Sequence, residues 1–76
     1  MDNSHYDIFL KEVGKQVRRI RKEKGLSMET LAYNTEIEYR QLGRIERGEI
    51  NTTIISLKKL AKALDVPVTE FLISSD

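Results

Sequence analysis

Apolar residues recur along this chain at steps of three and four, the period of a helix that buries one face, and this spacing limits the possible folds most strongly. The first such run covers residues 4–24 and is followed by Gly25, a residue that readily takes the left-handed conformation that ends a helix. Its apolar positions are Tyr6, Phe9, Leu10, Val13, Val17 and Ile20. We predict a long first helix with these side chains facing a core.

Two shorter helices are predicted next, close together in sequence. Ser27 can cap a helix that runs over residues 28 to 34 or 35, because its hydroxyl can accept from the free amides of the first turn. A third helix over residues 38–47 stops at Gly48. The residues of these helices expected to face inward are Leu31, Ala32, Leu42 and Ile45, with Ile37 packed just before the third helix.

The last third of the chain predicts two more helices. A fourth begins near Thr53, and Pro67 prevents its continuation but suits the first turn of a fifth over residues 68–74. The inward positions of the fourth helix are Ile54, Leu57, Leu60, Ala61 and Leu64. No strand pair is recognisable, so we predict one all-α domain of five helices over residues 1–76.

The composition excludes several classes of protein. The chain has 76 residues and no cysteine, so neither a disulfide nor a thiolate metal cluster is expected. No apolar run approaches the roughly 18 residues that span a bilayer, and the N-terminus has no signal pattern, so no membrane association is expected and the cytoplasm is the expected compartment. The net charge of +1 does not by itself indicate a nucleic-acid partner.

Nothing in the sequence predicts catalysis. His5 is the single histidine and lies near a terminus, which argues against a catalytic base or a metal site. No nucleophile has a histidine and a carboxylate grouped near it, and there is no glycine-rich phosphate loop. We expect a protein that is not an enzyme and that needs no cofactor, metal or small-molecule ligand.

The connection between the second and third helices indicates how they pack. It is only three or four residues long, so the two helices must cross steeply, as in a helix-turn-helix. The face of the third helix opposite Leu42 and Ile45 then carries Tyr39, Arg40, Gln41, Gly43 and Arg44. Arginine can donate two bonds to guanine and glutamine can pair with adenine in the major groove of DNA. Taken alone, the two arginines also fit an ordinary solvated helix face.

Several segments carry a family resemblance. TLAYN, IERGE, SLKKLAKALDVPVTEFL and the upstream RRIRKEKG match a pattern over about fifty residues. In this pattern the chain resembles the XRE-type helix-turn-helix family of phage repressors and Cro. The resemblance implies a five-helix lambda-repressor-like DNA-binding domain. It places the helix-turn-helix at about residues 28–47 and helices four and five at about 53–74. Within that family, the length of the chain and the run NTTIISL make it resemble the restriction-modification controller proteins.

The resemblance implies roles for individual residues. Base reading is implied for Tyr39, Arg40, Gln41 and Arg44. Phosphate contacts are implied for Arg18, Met28, Asn51, Thr52 and Thr53. Arg21 and Glu46 are implied to form a structural ion pair between the first helix and the end of the third. The amide, the hydroxyls and the free backbone donors at the start of helix four also suit a phosphate on physical grounds.

Three residues depart from the family pattern. Met28 stands where the family usually has a glutamine that contacts phosphate, which puts that contact in question. Glu36 stands where the turn usually has glycine, so the turn is either strained or altered. Glu38 adds a second carboxylate at the start of the third helix, which we call the reading helix because its residues are implied to read bases. There the negative charge interacts favourably with the helix dipole but repels phosphate.

The C-terminal apolar residues predict a partner. Phe71, Leu72 and Ile73 are adjacent and cannot all face one small core, and Ile55 lies on the lysine side of helix four. We predict a two-fold homodimer through helix five and part of helix four, with reading helices about 34 Å apart on a palindromic site. The alternative is a frayed tail.

Together these observations predict a dimeric, sequence-specific transcriptional regulator whose partner is double-stranded DNA, with controller proteins as the nearest subgroup. Two alternatives share the fold. One is a protein-interaction module that no longer binds DNA, and the other is an antitoxin that binds both a toxin and its own promoter.

Overall fold

The computed structural model of the protein describes residues 4–73. Within that range it contains four α-helices, one 3₁₀ helix and no strand, so the predicted all-α class is confirmed. The helices are α1 (Ser4–Glu23), α2 (Met28–Thr35), α3 (Tyr39–Glu46), α4 (Ile54–Leu64) and the 3₁₀ helix (Val68–Leu72). None of them is long and apolar enough to cross a membrane.

The predicted fifth helix differs from expectation in type and length. It is a five-residue 3₁₀ helix in which the Glu70 amide donates to the Pro67 carbonyl at 3.0 Å, a bond across three residues rather than four. The C-terminal end that we predicted, at Ser74, lies outside the described residues.

The residues that start and stop the helices act as predicted. The Ser27 hydroxyl accepts from the Thr30 amide at 3.0 Å, and the Thr53 hydroxyl accepts from the Ser56 amide at 3.0 Å. Gly25 and Gly48 have φ values of 72° and 69°, which glycine adopts without steric cost.

Glu36 ends α2 in the left-handed conformation, with φ at 59° and ψ at 23°. The turn between α2 and α3 thus keeps the geometry that glycine would allow, although Glu36 carries a side chain. For a residue with a Cβ this conformation costs about 1–2 kcal/mol. The turn is therefore strained rather than rearranged, and its geometry is maintained by the packing of the two helices that it joins.

The core lies where α1 crosses α3, α4 and the 3₁₀ helix, with α2 packed on α3 and α4. Its fully or nearly buried apolar residues are Val13, Val17, Ile20, Leu31, Ala32, Ile37, Leu42, Ile45, Leu60, Ala61, Leu64 and Phe71. Three residues predicted to face inward are instead exposed, because Tyr6 and Phe9 lie on the first turns of α1 and Ile54 is the first residue of α4. At these helix ends the apolar spacing continues past the edge of the core.

Two glycines allow α1 and the end of α3 to approach closely. A Cβ added at Gly14, in the middle of α1, would overlap the carbonyl oxygens of Ile45 and Glu46. A Cβ added at Gly48 would overlap the backbone of Lys11. The backbones of α1 and α3 are therefore in direct contact at this crossing.

Arg21 and Glu46 form the predicted ion pair beside the same crossing. The Arg21 Nε and Nη2 atoms donate to the two carboxylate oxygens of Glu46 at 2.7 and 3.1 Å, while Nη1 donates to the Leu26 carbonyl at 2.9 Å. Both side chains are buried, with less than a tenth of either exposed. The arginine therefore joins α1, the loop before α2 and the end of α3.

Candidate nucleic-acid interface

The helix α3 presents one face to the core and the other to solvent. Leu42 and Ile45 are buried, and three residues, 36–38, connect α3 to α2. All four residues predicted to read bases are exposed, with 55% of Tyr39 accessible. They are Tyr39, Arg40, Gln41 and Arg44. We call this set the reading face.

Gly43 does not belong to that face, contrary to the prediction. It is buried beneath two side chains, because a Cβ added there would lie 2.9 Å from Arg47 Nη1 and 3.4 Å from Met28 Cε. Gly43 instead leaves room for the guanidinium of Arg47, which folds back over α3 towards the start of α2.

Arg47 is a residue that the sequence reasoning missed. It follows Arg40 by seven positions and Arg44 by three, so the three arginines form a stripe along one side of α3. This spacing was visible in the sequence. Arg47 caps the C-terminal end of α3 in a helical conformation, which continues the stripe by one residue beyond the helix.

Glu49 contacts two arginines of this stripe. Its carboxylate accepts from Arg47 Nε at 2.7 Å and from Arg47 Nη2 at 3.4 Å, and it lies 4.0 Å from Arg44 Nε. The hydrogen bond from Arg47 lowers the pKa of Glu49 and raises that of Arg47. All three side chains are about half exposed, so the carboxylate and the guanidiniums remain accessible to a ligand.

The residues predicted to contact phosphate fall into two groups. Arg18, exposed on α1, shares a shallow cleft with Met28, the first residue of α2. Asn51, Thr52 and Thr53 form the approach to α4, where Asn51 is exposed and Thr53 caps the helix. The buried Thr52 hydroxyl has no hydrogen-bond partner in the described part of the chain.

The residues predicted to form a dimer interface are not all available. Phe71 is only 1% exposed and packs in the core of the protomer, so its assignment to the interface was wrong. Ile55, Leu72 and Ile73 are exposed as predicted, by 66%, 47% and 54%. Phe71 and Leu72 differ in burial because the 3₁₀ helix turns Phe71 inward and leaves Leu72 outside, as it does Ile73, the residue that follows the helix.

A groove beside the 3₁₀ helix adds residues that were not predicted to lie at an interface. Leu72 and Ile73 line it together with Ile8 and Phe9 from the first turns of α1. Exposed apolar side chains from two separate elements thus form one continuous surface. In residues 4–73 no group of three His, Cys, Asp or Glu residues is arranged to hold a metal.

The packed α2–α3 pair, its three-residue turn and the exposed polar face of α3 define a helix-turn-helix domain of the transcriptional-regulator class. The HTH_3 helix-turn-helix family model matches residues 17–71, which is most of the chain. The chain belongs to this family.

Relatives and solved structures agree with that assignment. The chain is 38% identical over 66 residues to an uncharacterised HTH-type transcriptional regulator, y4dJ, of Sinorhizobium fredii, covering 87% of this chain and 86% of that protein. It resembles the restriction-modification controller protein C.AhdI from Aeromonas hydrophila with a TM-score of 0.79 at 39% identity, over 82% of this chain and 94% of that one. A mutant of the controller protein C.Esp1396I matches with a TM-score of 0.76 at 36% identity, over 83% and 82% of the two chains.

Proposed function

We propose that this protein regulates transcription as a homodimer that binds a palindromic DNA site in a sequence-specific manner. The observation that carries the proposal is the reading face, which projects from a short helix braced by α2 on one side and by the Arg21–Glu46 pair on the other. A helix presented in this way can enter the major groove, which is wide enough for it.

The chemistry of the reading face suits base recognition. Arg40 and Arg44 are the residues suited to guanine, because a guanidinium donates two parallel bonds to its O6 and N7 atoms. Gln41 is suited to adenine by the same geometry. Arg18, on α1, and Asn51 and Thr53, at the start of α4, lie off the reading face and are suited there to phosphate oxygens, which fix the position of the helix in the groove.

Replacing Arg44 with alanine is expected to relax base preference at one position of each half-site by about 1–3 kcal/mol, because a bidentate contact to one base is lost. Asn51→Ala is the comparison, since loss of a phosphate contact weakens all sequences alike. Selection of binding sites from random DNA by the wild type, followed by affinity measurements on single-base variants of the selected site, gives both quantities.

Recovery of no preferred motif by the wild type at moderate salt would reject sequence-specific regulation. Failure to bind any duplex at low salt would reject DNA binding altogether and favour a protein-interaction module, because contacts to phosphate are strongest at low salt. The similarity to C.AhdI over nearly the whole of that chain supports a controller role. A selected motif lying upstream of restriction-modification genes would support it further.

The dimer part of the proposal is supported by the apolar surface beside the 3₁₀ helix. Ile8, Phe9, Leu72 and Ile73 form one groove, and apolar surface of this kind is typical of a site where another chain binds. A second copy bound by a two-fold axis covers both grooves at once. It also sets two reading faces about one turn of DNA apart, which a single domain cannot do.

Replacing Leu72 with aspartate is expected to convert the dimer to a monomer, because a charge would be placed in an apolar interface. Tyr33→Asp is the matched control, since Tyr33 is 85% exposed on α2 and away from the groove. Sedimentation velocity measures the oligomeric state, and circular dichroism checks that the helices remain. A Leu72→Asp protein that stays dimeric would show that the two copies associate elsewhere.

A further inference from the structure

A cleft lies between α1, the start of α2 and the end of α3, beside the reading face. It has a volume of about 220 Å³ and is lined by Arg18, Arg21, Met28, Gly43, Glu46 and Arg47. Three arginines and one glutamate give these walls a net formal charge of +2. Because Arg21 and Glu46 neutralise each other in their buried pair, the excess charge belongs to Arg18 and Arg47.

Arg47 is placed over this cleft by the absence of a side chain at Gly43. Its Nη1 atom lies 2.9 Å from the position that a Cβ of Gly43 would occupy, and Met28 Cε lies 3.4 Å from the same position. Arg47 also borders the neighbouring depression that reaches Tyr39 and Arg40. Its guanidinium therefore lies between the start of α2 and the reading face.

Met28 makes Arg47 more important at this position. The thioether of Met28 donates no hydrogen bond, so this side chain cannot bind a phosphate oxygen as a polar residue at the start of α2 could. The guanidinium of Arg47 lies beside it and has five N–H donors. Side-chain donors that Met28 does not supply at the start of α2 are thus available from the end of α3.

Resting on the proposed function, we propose that Arg47 and Arg18 form a phosphodiester-binding site in this cleft, and that the Glu49 carboxylate occupies Arg47 until a DNA phosphate replaces it. The ligand is the backbone of a DNA strand that passes the start of α2. Free phosphate and sulfate share its chemistry, since each presents several anionic oxygens to a guanidinium.

The position of Glu49 supports such an exchange. Its pair with Arg47 is exposed, and exposed pairs are weak and screened by salt, so a phosphate can displace the carboxylate at little cost. Glu49 also lies 4.0 Å from Arg44 Nε, so its displacement releases an arginine of the reading face as well. Binding of the backbone and release of a base-reading side chain are thereby coupled through one carboxylate.

The test compares two ion pairs of similar exposure. Arg47→Gln and Glu49→Gln alter the proposed site, while Arg19→Gln and Glu23→Gln alter an exposed pair on α1 whose atoms are 2.6 Å apart. The affinity of each variant is measured for the selected duplex and for a random duplex over a range of salt concentrations. Circular dichroism confirms that all four variants are folded.

Arg47→Gln is expected to weaken both duplexes about tenfold and to reduce the slope of log affinity against log salt by about 1 for each bound protomer. Glu49→Gln is expected to tighten both severalfold, because the competing carboxylate is gone. The α1 variants are expected to leave the slope unchanged. An unchanged slope in Arg47→Gln, or a loss confined to the selected duplex, would overturn the proposal.

A second measurement separates this site from the proposed function. Inorganic phosphate is added to wild-type protein and to Glu49→Gln at constant ionic strength, and the Nε–H signals of the arginines are followed by NMR. If the wild type binds no duplex but the signals of Arg47 and Arg18 shift, the regulator proposal fails and the anion site stands. If the wild type binds no duplex and neither signal shifts, the regulator proposal and the anion-site proposal are both wrong.

Discussion

Replacing Glu46 with alanine is expected to destabilise the protein by about 3–5 kcal/mol, because the change leaves the buried Arg21 guanidinium without its counter-charge. That loss is a large part of the net free energy of unfolding of an ordinary domain, which is roughly 5–15 kcal/mol. Arg21 would keep its bond to the Leu26 carbonyl but lose both bonds to α3. Urea denaturation followed by circular dichroism measures the change in the free energy of unfolding.

Two further variants show whether burial causes this loss. Glu23→Ala breaks the exposed Arg19–Glu23 pair and is expected to cost no more than about 0.5 kcal/mol. The double replacement Arg21→Met with Glu46→Leu removes both charges and is expected to cost less than Glu46→Ala, since no unpaired charge remains. Equal losses for Glu46→Ala and Glu23→Ala would mean that the pair contributes nothing beyond a surface contact.

The helices could be predicted from the sequence because their signals are local. The three-to-four spacing predicted α1, and Ser27, Gly48 and Thr53 marked the start of α2, the end of α3 and the start of α4 within one or two residues. The limits of the core could not be predicted in this way. Spacing shows which side of a helix is apolar, but it does not show where the neighbouring helix stops, and so Tyr6 and Ile54 were expected to be buried.

The error at Phe71 has a related cause. Three adjacent apolar residues contain no periodicity, so the sequence does not show which of them faces inward. In the structure the tight turn of the 3₁₀ helix directs Phe71 into the core and leaves Leu72 and Ile73 outside. The prediction that an apolar surface remains exposed there was confirmed, but its composition depends on packing with the first turns of α1.

The candidate site likewise contains residues that could be predicted from the sequence and residues whose positions depend on packing. The reading face could be predicted from α3 alone, because its exposure follows from the burial of Leu42 and Ile45. The Arg47–Glu49 pair depends on the turn at Gly48, which brings residue 49 back beside the helix that precedes it. Its relation to Arg18 depends in addition on how α1 crosses α3, which no local pattern encodes.

The crossing of α1 and α3 links stability to the proposed function. The inner side of α3 is attached to α1 through Glu46 and through direct backbone contact at Gly14, while its outer side carries the reading face. A shift of α3 at the crossing would therefore move the residues proposed to contact bases. Small misplacements of this kind matter because base recognition requires hydrogen bonds of defined length and direction.

Replacing Gly14 with alanine is expected to destabilise the protein by about 2–3 kcal/mol, although alanine is the better helix former by about 1 kcal/mol. The added Cβ would overlap the Ile45 carbonyl oxygen and lie 2.6 Å from that of Glu46, so the backbones of α1 and α3 must separate. Such a loss lowers the melting temperature by roughly 10–20 °C in a domain of this size. Thermal unfolding followed by circular dichroism measures it.

Gly43→Ala is the matched control, because Gly43 also lies within a helix and is also buried. The atoms its Cβ would meet are the mobile ends of Arg47 and Met28, which can move aside, so the gain in helix propensity is expected to leave stability unchanged or raised by up to about 1 kcal/mol. Opposite signs for the two glycines would show that backbone contact, rather than burial alone, excludes a side chain at the crossing. A Gly14→Ala protein as stable as the wild type would mean that α1 and α3 can separate freely, and the rigid support proposed for the reading face would then be absent.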